Sequence, residues 1–202
     1  MRSLIIDNFL PYPQVVRSWA LQQTFLNAAQ MSDKLGVHTN WPGVRTHHVM
    51  DLDAAYADHV CKQISQLAQQ NYSGAGGMNI KSYFQICTQQ DGDSWVHQDN
   101  DVHVAGVLYL TPHAPISSGT TTYACRDPHQ WHSLHIDQMR MINQTDRQDL
   151  YDQLFEPVDC FGNVFNRLIM YPGMMFHKSN QYFGTDKQTG RLTQVFFVKF
   201  DS

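Results

Sequence analysis

The chain has 202 residues, of which 42% are hydrophobic, 12% aromatic and 16% charged, and its formal net charge is −4. That length and apolar content suit one domain with a real core and exclude wholesale disorder. The acidic balance excludes nucleic-acid binding driven by phosphate contacts, and no apolar run approaches the roughly 18 residues needed to span a bilayer.

The opening LIIDNFLPYP reads as a short strand ended by a proline turn. Asp7 and Pro11 break its apolar stretch, so it does not read as a signal peptide. Pro13 suits the first turn of a helix, and Val16, Trp19, Ala20 and Phe25 give a helical face to about residue 29. GVHTNWPGVRTHH, with turn residues Asn40, Pro42 and Gly43, reads as a loop whose Trp41, Arg45 and histidines either line the mouth of a site or, the preferred reading, are simply exposed. After Asp53, Tyr56, Val60, Cys61, Ile64, Leu67 and Ala68 recur at helical spacing until SGAGG stops the pattern.

From residue 78 the texture changes to β-branched and aromatic runs: MNIKSYFQICTQQ, HVAGVLYLT, GTTTYA, VFNRLIMYP and RLTQVFFVKF. Between them TDRQDLYDQL reads as a short helix, with Thr145 and Gln148 at capping-box spacing. Helices followed by many short strands predict a mainly β protein with flanking helices, an antiparallel jelly roll with the helices outside one sheet. The absence of repeats or a linker predicts a single domain over 1–202, with an N-terminal strand and supporting helices in 1–77 and the jelly-roll core in 78–200. Cys61, Cys87, Cys125 and Cys160 form no C-x-x-C pair and read as reduced thiols of a cytoplasmic protein.

Eleven histidines stand in a lightly charged chain, and imidazole is the commonest metal ligand. In WVHQDND, His97 and Asp99 are two apart, so on an extended segment they share a side. A third ligand must come from a distant strand, and His177, after the Pro172–Gly173 turn and opening another short strand, is the candidate. Two histidines and one carboxylate on one face leave metal positions open, as non-haem Fe(II) oxygenases require. Arg191 and Thr193 also share a strand face. If that face is inward, a guanidinium and a hydroxyl meet there to grip a carboxylate. In the other register Leu192, Gln194 and Phe196 point inward and Arg191 lies in solvent.

In this order the residues resemble the Fe(II)/2-oxoglutarate-dependent oxygenase superfamily, and within it an uncharacterised bacterial and phage branch distantly similar to prolyl hydroxylases. The superfamily's H-x-D corresponds to His97 and Asp99, its distal histidine to His177, and its R-x-S/T to Arg191 and Thr193. SGTTTY resembles the G-G-T-x-F/Y turn of prolyl-hydroxylase relatives, and the resemblance covers residues 78 to 200. It implies a double-stranded β-helix (cupin-like), Fe(II) on His97, Asp99 and His177, and 2-oxoglutarate anchored by Arg191 and Thr193. The cosubstrate would be consumed with dioxygen to give succinate and carbon dioxide. The carboxylate at Asp99 favours hydroxylation or desaturation, since halogenating relatives carry a small residue there. The glycine-tyrosine segment that often precedes H-x-D in prolyl hydroxylases is missing. Tyr83 and Gln85, on one face of the first long strand with Cys87, are the preferred replacements in contacting the cosubstrate, with Tyr109 the other candidate.

His103 lies close enough in sequence to the triad to reach substrate, and His129, His132 and His135 recur every third residue without a carboxylate or cysteine to complete a metal set. The expected partner is a small-molecule or peptide substrate, with no nucleic acid and no membrane; oligomeric state is silent in the sequence. The competing readings are an inactive jelly-roll binding module and a cupin-like metalloenzyme that does not use 2-oxoglutarate. A dicarboxylate clamp at Arg191 and Thr193 argues against both.

Overall fold

A computed structural model of the chain describes residues 3–36, 41–72, 76–133, 150 and 152–201. Its N-terminal part runs β1 (Leu4–Ile6), α1 (Pro13–Ala20), β2 (Leu26–Asn27), α2 (Ala28–Leu35), β3 (Val44–Arg45), α3 (Val49–Leu52) and α4 (Ala54–Tyr72). There follow β4 (Met78–Cys87), β5 (Val104–Tyr109), β6 (Thr120–Cys125), α5 (Pro128–Ser133), β7 (Phe155–Phe161), β8 (Leu168–Pro172), β9 (Phe176–Ser179) and β10 (Arg191–Phe200). The strands make two antiparallel sheets, one of seven strands in the order β1-β8-β5-β10-β4-β3-β2 and one of three in the order β7-β6-β9.

The centre of the large sheet is buried on both faces, which is why β5, β8 and most of β10 read as nearly continuous apolar runs. Along β10, Leu192, Phe196 and Val198 join Leu108 of β5, Met170 of β8 and Phe84 of β4 in a core beneath the helices. Arg191, Val195 and Phe197 point the other way, into a cavity between the sheets. Gln194 falls on the helix face, where burial would be costly without partners. It has two: its Nε2 donates to Ser82 Oγ at 2.9 Å and its Oε1 accepts from Tyr56 Oη at 2.6 Å.

Helix α4 supplies most of the cover. Ala57, Val60, Ile64, Ala68 and Tyr72 recur at three- and four-residue intervals and are buried against the sheet. Asp53 Oδ1 accepts from the Tyr56 backbone N–H at 2.9 Å and so starts the helix, while the Tyr72 hydroxyl donates to the Met170 carbonyl at 2.9 Å and ties its end to β8. Ile64→Ala should lower unfolding free energy by about 2–5 kcal/mol, because a fully buried side chain leaves a cavity in this layer. Denaturant melts of parent and variant check this; an unchanged midpoint would mean that α4 does not carry the core.

Three expectations need correction. The first helix ends at Ala20, not near residue 29. Leu26 and Asn27 pair with β3, and Asn27 then starts α2 with a capping box in which its side chain and that of Gln30 exchange bonds with each other's backbone N–H at 2.9 Å. The N-terminal region therefore holds more than one strand, since β2 and β3 extend the large sheet beyond β4. Strand β7 was not expected, because Glu156, Pro157 and Asp159 are poor strand formers. It is tolerated at a sheet edge, where Pro157 need donate no ladder bond. The helix expected around Thr145 and Gln148 falls mostly outside the described residues.

Candidate active site

His97 and His177 form an isolated antiparallel bridge that adds the His97 segment to the free side of β9. Each backbone N–H donates to the other's carbonyl, at 3.0 and 2.9 Å, which brings the ring centroids to 4.3 Å. Asp99 is pinned separately, its backbone N–H donating to the Gly173 carbonyl at 2.9 Å. Its carboxylate then stands 3.9 Å from His97 Nε2 and 3.5 Å from His177 Nε2. One ligand atom from each of the three side chains lies within 4.8 Å of the others, and among the described residues this is the one such group able to hold a metal ion.

The imidazoles are presented correctly for that. His97 Nδ1 lies 2.9 Å from the Trp95 carbonyl and His177 Nδ1 2.8 Å from the Met175 carbonyl. A carbonyl only accepts, so each Nδ1 carries the proton and each Nε2 keeps its lone pair toward Asp99. Burial, reinforced by the neighbouring His97, pushes the His177 imidazole down to about 4 and keeps it neutral, the form that ligates. Two imidazole nitrogens and one carboxylate oxygen are the donor set of a non-haem Fe(II) centre.

The triad opens into a cavity of about 380 Å³ whose wall includes Arg191 and Gln85. Arg191 is only 3% exposed. Its Nε donates to the Ser118 carbonyl at 2.9 Å, its Nη2 lies 3.5 Å from the Gly119 carbonyl, and its Cζ sits 5.4 Å from the Tyr109 ring centroid. Gly119 belongs to the SGTTTY segment, and there a side chain would run into the Phe161 carbonyl. The register with Arg191 facing the cavity is therefore the observed one. Thr193, on the same strand face, is fully buried, and its Oγ1 has no hydrogen-bond partner.

Tyr83 is not among the residues that line this cavity. It shares a strand face with Gln85, but it lies opposite Val195 and under His48, whose ring centroid is 5.6 Å away, and Phe197 at 6.3 Å. Tyr109 is the tyrosine beside Arg191, with its hydroxyl donating to Thr120 Oγ1 at 2.8 Å. Gln85 does line the cavity, donating to the Pro42 carbonyl at 2.8 Å and accepting from Arg45 Nη2 at 3.1 Å. His103 turns away, its Nδ1 accepting from the Phe200 backbone N–H at 3.0 Å. His48 starts α3, and His47 lies beside Lys34. His129 is exposed, whereas His135 and the side chain of His132 lie outside the described residues.

Of the two readings of the loop that carries Trp41 and Arg45, the preferred one, simple exposure, is not the one observed. Both line the cavity. The short strand β3 puts Arg45 opposite Gln85 on β4, a pairing that no local pattern announces.

The fold is a double-stranded β-helix, a likeness shared with the solved structures named below. The chain belongs to the family described as a family of unknown function, DUF6445, which it matches over residues 1–198. No curated protein matches the sequence. Among solved structures, HygX from Streptomyces hygroscopicus with nickel and 2-oxoglutarate bound is similar at a TM-score of 0.62 and 11% identity, over 98% of this chain and 82% of that one. A Pseudomonas putida prolyl-4-hydroxylase is similar at a TM-score of 0.52 and 12% identity, over 99% and 93% of the two chains. A Trichoplax adhaerens prolyl hydroxylase in complex with a hypoxia inducible factor peptide fragment is similar at 0.54 and 15%, over 98% and 83%. At such identities the likeness is one of fold. No helix among the described residues is long and apolar enough to cross a membrane.

Proposed function

We propose that the chain is a single-domain Fe(II)- and 2-oxoglutarate-dependent dioxygenase that hydroxylates a small-molecule or peptide substrate. The observation that carries this reading is one cavity lined by His97, Asp99, His177 and a buried Arg191, with a partnerless Thr193 hydroxyl buried on the same strand face as Arg191. The first set fits a ferrous ion. The second fits the distal carboxylate of 2-oxoglutarate, because a buried guanidinium held by main-chain carbonyls lacks an anionic partner among the described residues, and a buried hydroxyl lacks any partner.

Bound iron would supply the activation of dioxygen and the oxidation of substrate, coupled to decarboxylation of 2-oxoglutarate. The chain's own residues have the remaining tasks. The Trp95 and Met175 carbonyls hold the imidazoles in the ligating tautomer. Arg191 orients the cosubstrate along the cavity, and Tyr109 packs against the guanidinium and limits its freedom. The apolar walls at Val107, Val195 and Phe197 keep bulk water from the reacting centre. Two similar structures support an organic substrate: HygX is known with hygromycin B bound, and the Trichoplax enzyme with a peptide.

Incubating the protein with Fe(II), 2-oxoglutarate and air should yield succinate, even without the primary substrate, at a rate that a chelator abolishes. If succinate does not rise above the chelated control over a range of Fe(II) concentrations, the dioxygenase reading is wrong.

A further inference from the structure

The cavity holds a second guanidinium that the cosubstrate does not need. Arg45 on β3 lies opposite Gln85 on β4, which lies opposite Thr193 on β10, so the three side chains form a row across neighbouring strands. With strands about 4.8 Å apart, Arg45 starts roughly 10 Å from Thr193 along that row. Its Cζ sits 4.7 Å from the Trp41 ring centroid and 5.6 Å from that of Phe197, and its Nη2 donates to Gln85 Oε1. This clamp fixes the guanidinium at the cavity wall but does not neutralise it: among the described residues Arg45 makes no ion pair.

Two N–H donors here are also removed from water without an acceptor, Arg45 Nε and Trp41 Nε1. Arg45 as a whole is half-buried, and a guanidinium whose Nε is shielded and unpaired is costly to hold there unless an acceptor joins it. The nearby carboxylate is Asp99, which belongs to the metal set. Arg191, on the far side of the row, is assigned to 2-oxoglutarate. Beyond Arg45 the cavity wall is apolar at Val102, Ala105 and Phe197.

We propose that Arg45, backed by Trp41, is a second carboxylate-binding subsite that takes a carboxylate of the primary substrate and so selects carboxylic acids with an apolar body. The inference rests on the dioxygenase reading for the occupant of Arg191. The guanidinium stacked on an indole presents a flat fork to a flat carboxylate, so geometry as well as charge selects the ligand. Binding there would fix the substrate's anionic end at the wall and leave its apolar part toward the triad.

The test is calorimetry on the 202-residue chain loaded with Mn(II) and saturating 2-oxoglutarate, titrated with benzoate, hexanoate and N-acetylglycine, and with benzamide as the neutral shape match of benzoate. At least one carboxylate should bind one-to-one, and benzamide should not bind. Arg45→Gln should weaken that carboxylate by about ten- to a hundredfold, the range for losing charge-assisted hydrogen bonds. Trp41→Phe, which keeps an aromatic face under the guanidinium, should weaken it less than Arg45→Gln does, and Arg45→Lys should fall between parent and Arg45→Gln. The lysine variant keeps the test sound if Arg45→Gln fails to fold.

Titrating 2-oxoglutarate into the Mn(II) protein beforehand reads the dioxygenase assignment separately. If the parent does not bind it, that assignment fails, and the carboxylate titrations are then made with Mn(II) alone. The subsite is overturned if none of the three carboxylates binds the parent, if benzamide binds as well as benzoate, or if Arg45→Gln and Arg45→Lys both bind like the parent. It is also overturned if Arg45→Gln weakens 2-oxoglutarate as much as the carboxylates, since Arg45 would then serve the cosubstrate.

Discussion

His97→Ala, Asp99→Ala and His177→Ala are each expected to lose Fe(II), and its surrogates Mn(II), Co(II) and Ni(II), by more than the roughly 10–100-fold that follows from deleting a hydrogen-bond partner of a ligand. Each variant removes one of three donors, and the described residues offer no further cluster to replace it. The three should not be equivalent in other respects. His177 is 5% exposed and packs against Tyr171 with ring centroids 4.8 Å apart, so its truncation also opens a void and lowers stability. Asp99→Asn nearly preserves shape and removes charge, so it separates loss of ligation from loss of packing. Because a proton competes with the metal for an imidazole, affinity in the parent should fall on acidification, and the loss due to His177, whose imidazole is pushed down to about 4, should come only as the pH approaches that value. Calorimetry with Mn(II) at several pH values checks both points. Variants that bind metal like the parent would dismiss the triad.

The second large effect is expected at Arg191. Arg191→Ala should raise the apparent constant for 2-oxoglutarate about ten- to a hundredfold per charge-assisted bond lost, on the order of 1.5–3 kcal/mol each, because the guanidinium is nearly dry. Arg191→Lys should recover only part of this: an ammonium is a point charge and cannot offer two parallel N–H groups. It also loses the bond from Arg191 Nε to the Ser118 carbonyl, which aims the side chain. Thr193→Val should cost on the order of 1 kcal/mol, since it removes one neutral hydroxyl and nearly keeps the volume. Metal affinity without cosubstrate should change little across the series. The measurement is metal-dependent succinate formation against 2-oxoglutarate concentration. Unchanged kinetics in Arg191→Ala would end the cosubstrate assignment while leaving the metal set intact.

Local patterns carry far in this chain where one periodicity dominates. Ile64 and its neighbours at helical spacing reveal α4, and the β-branched and aromatic runs reveal β4, β5, β8 and β10. A two-residue interval puts His97 beside Asp99, and Arg191 on one strand face with Thr193, because side-chain alternation in extended chain has period two. Alternation does not say which face is the cavity. The centre of the large sheet is buried on both faces, so hydrophobicity along β10 could not choose between the registers, and the helix layer beneath Leu192 and Phe196 made the choice.

The sequence alone therefore determined the element types of the long segments, the jelly-roll class and the chemical identity of the side chains that converge. Three matters were left to tertiary structure. The bridge between His97 and His177 joins segments 80 positions apart, and backbone hydrogen bonding to a distant strand leaves no trace in either segment. Tyr83 shares its strand face with Gln85 yet packs under His48 and Phe197, because what covers a side chain depends on the neighbouring elements as well as on its own strand. Arg45 sits in a segment with the texture of a loop until a two-residue strand, second from the edge of the sheet, pairs with β4 and turns it into the cavity wall. Two residues are too few to show a strand pattern of their own, so the place of Arg45 in the site is set by pairing with neighbouring strands and not by its local sequence.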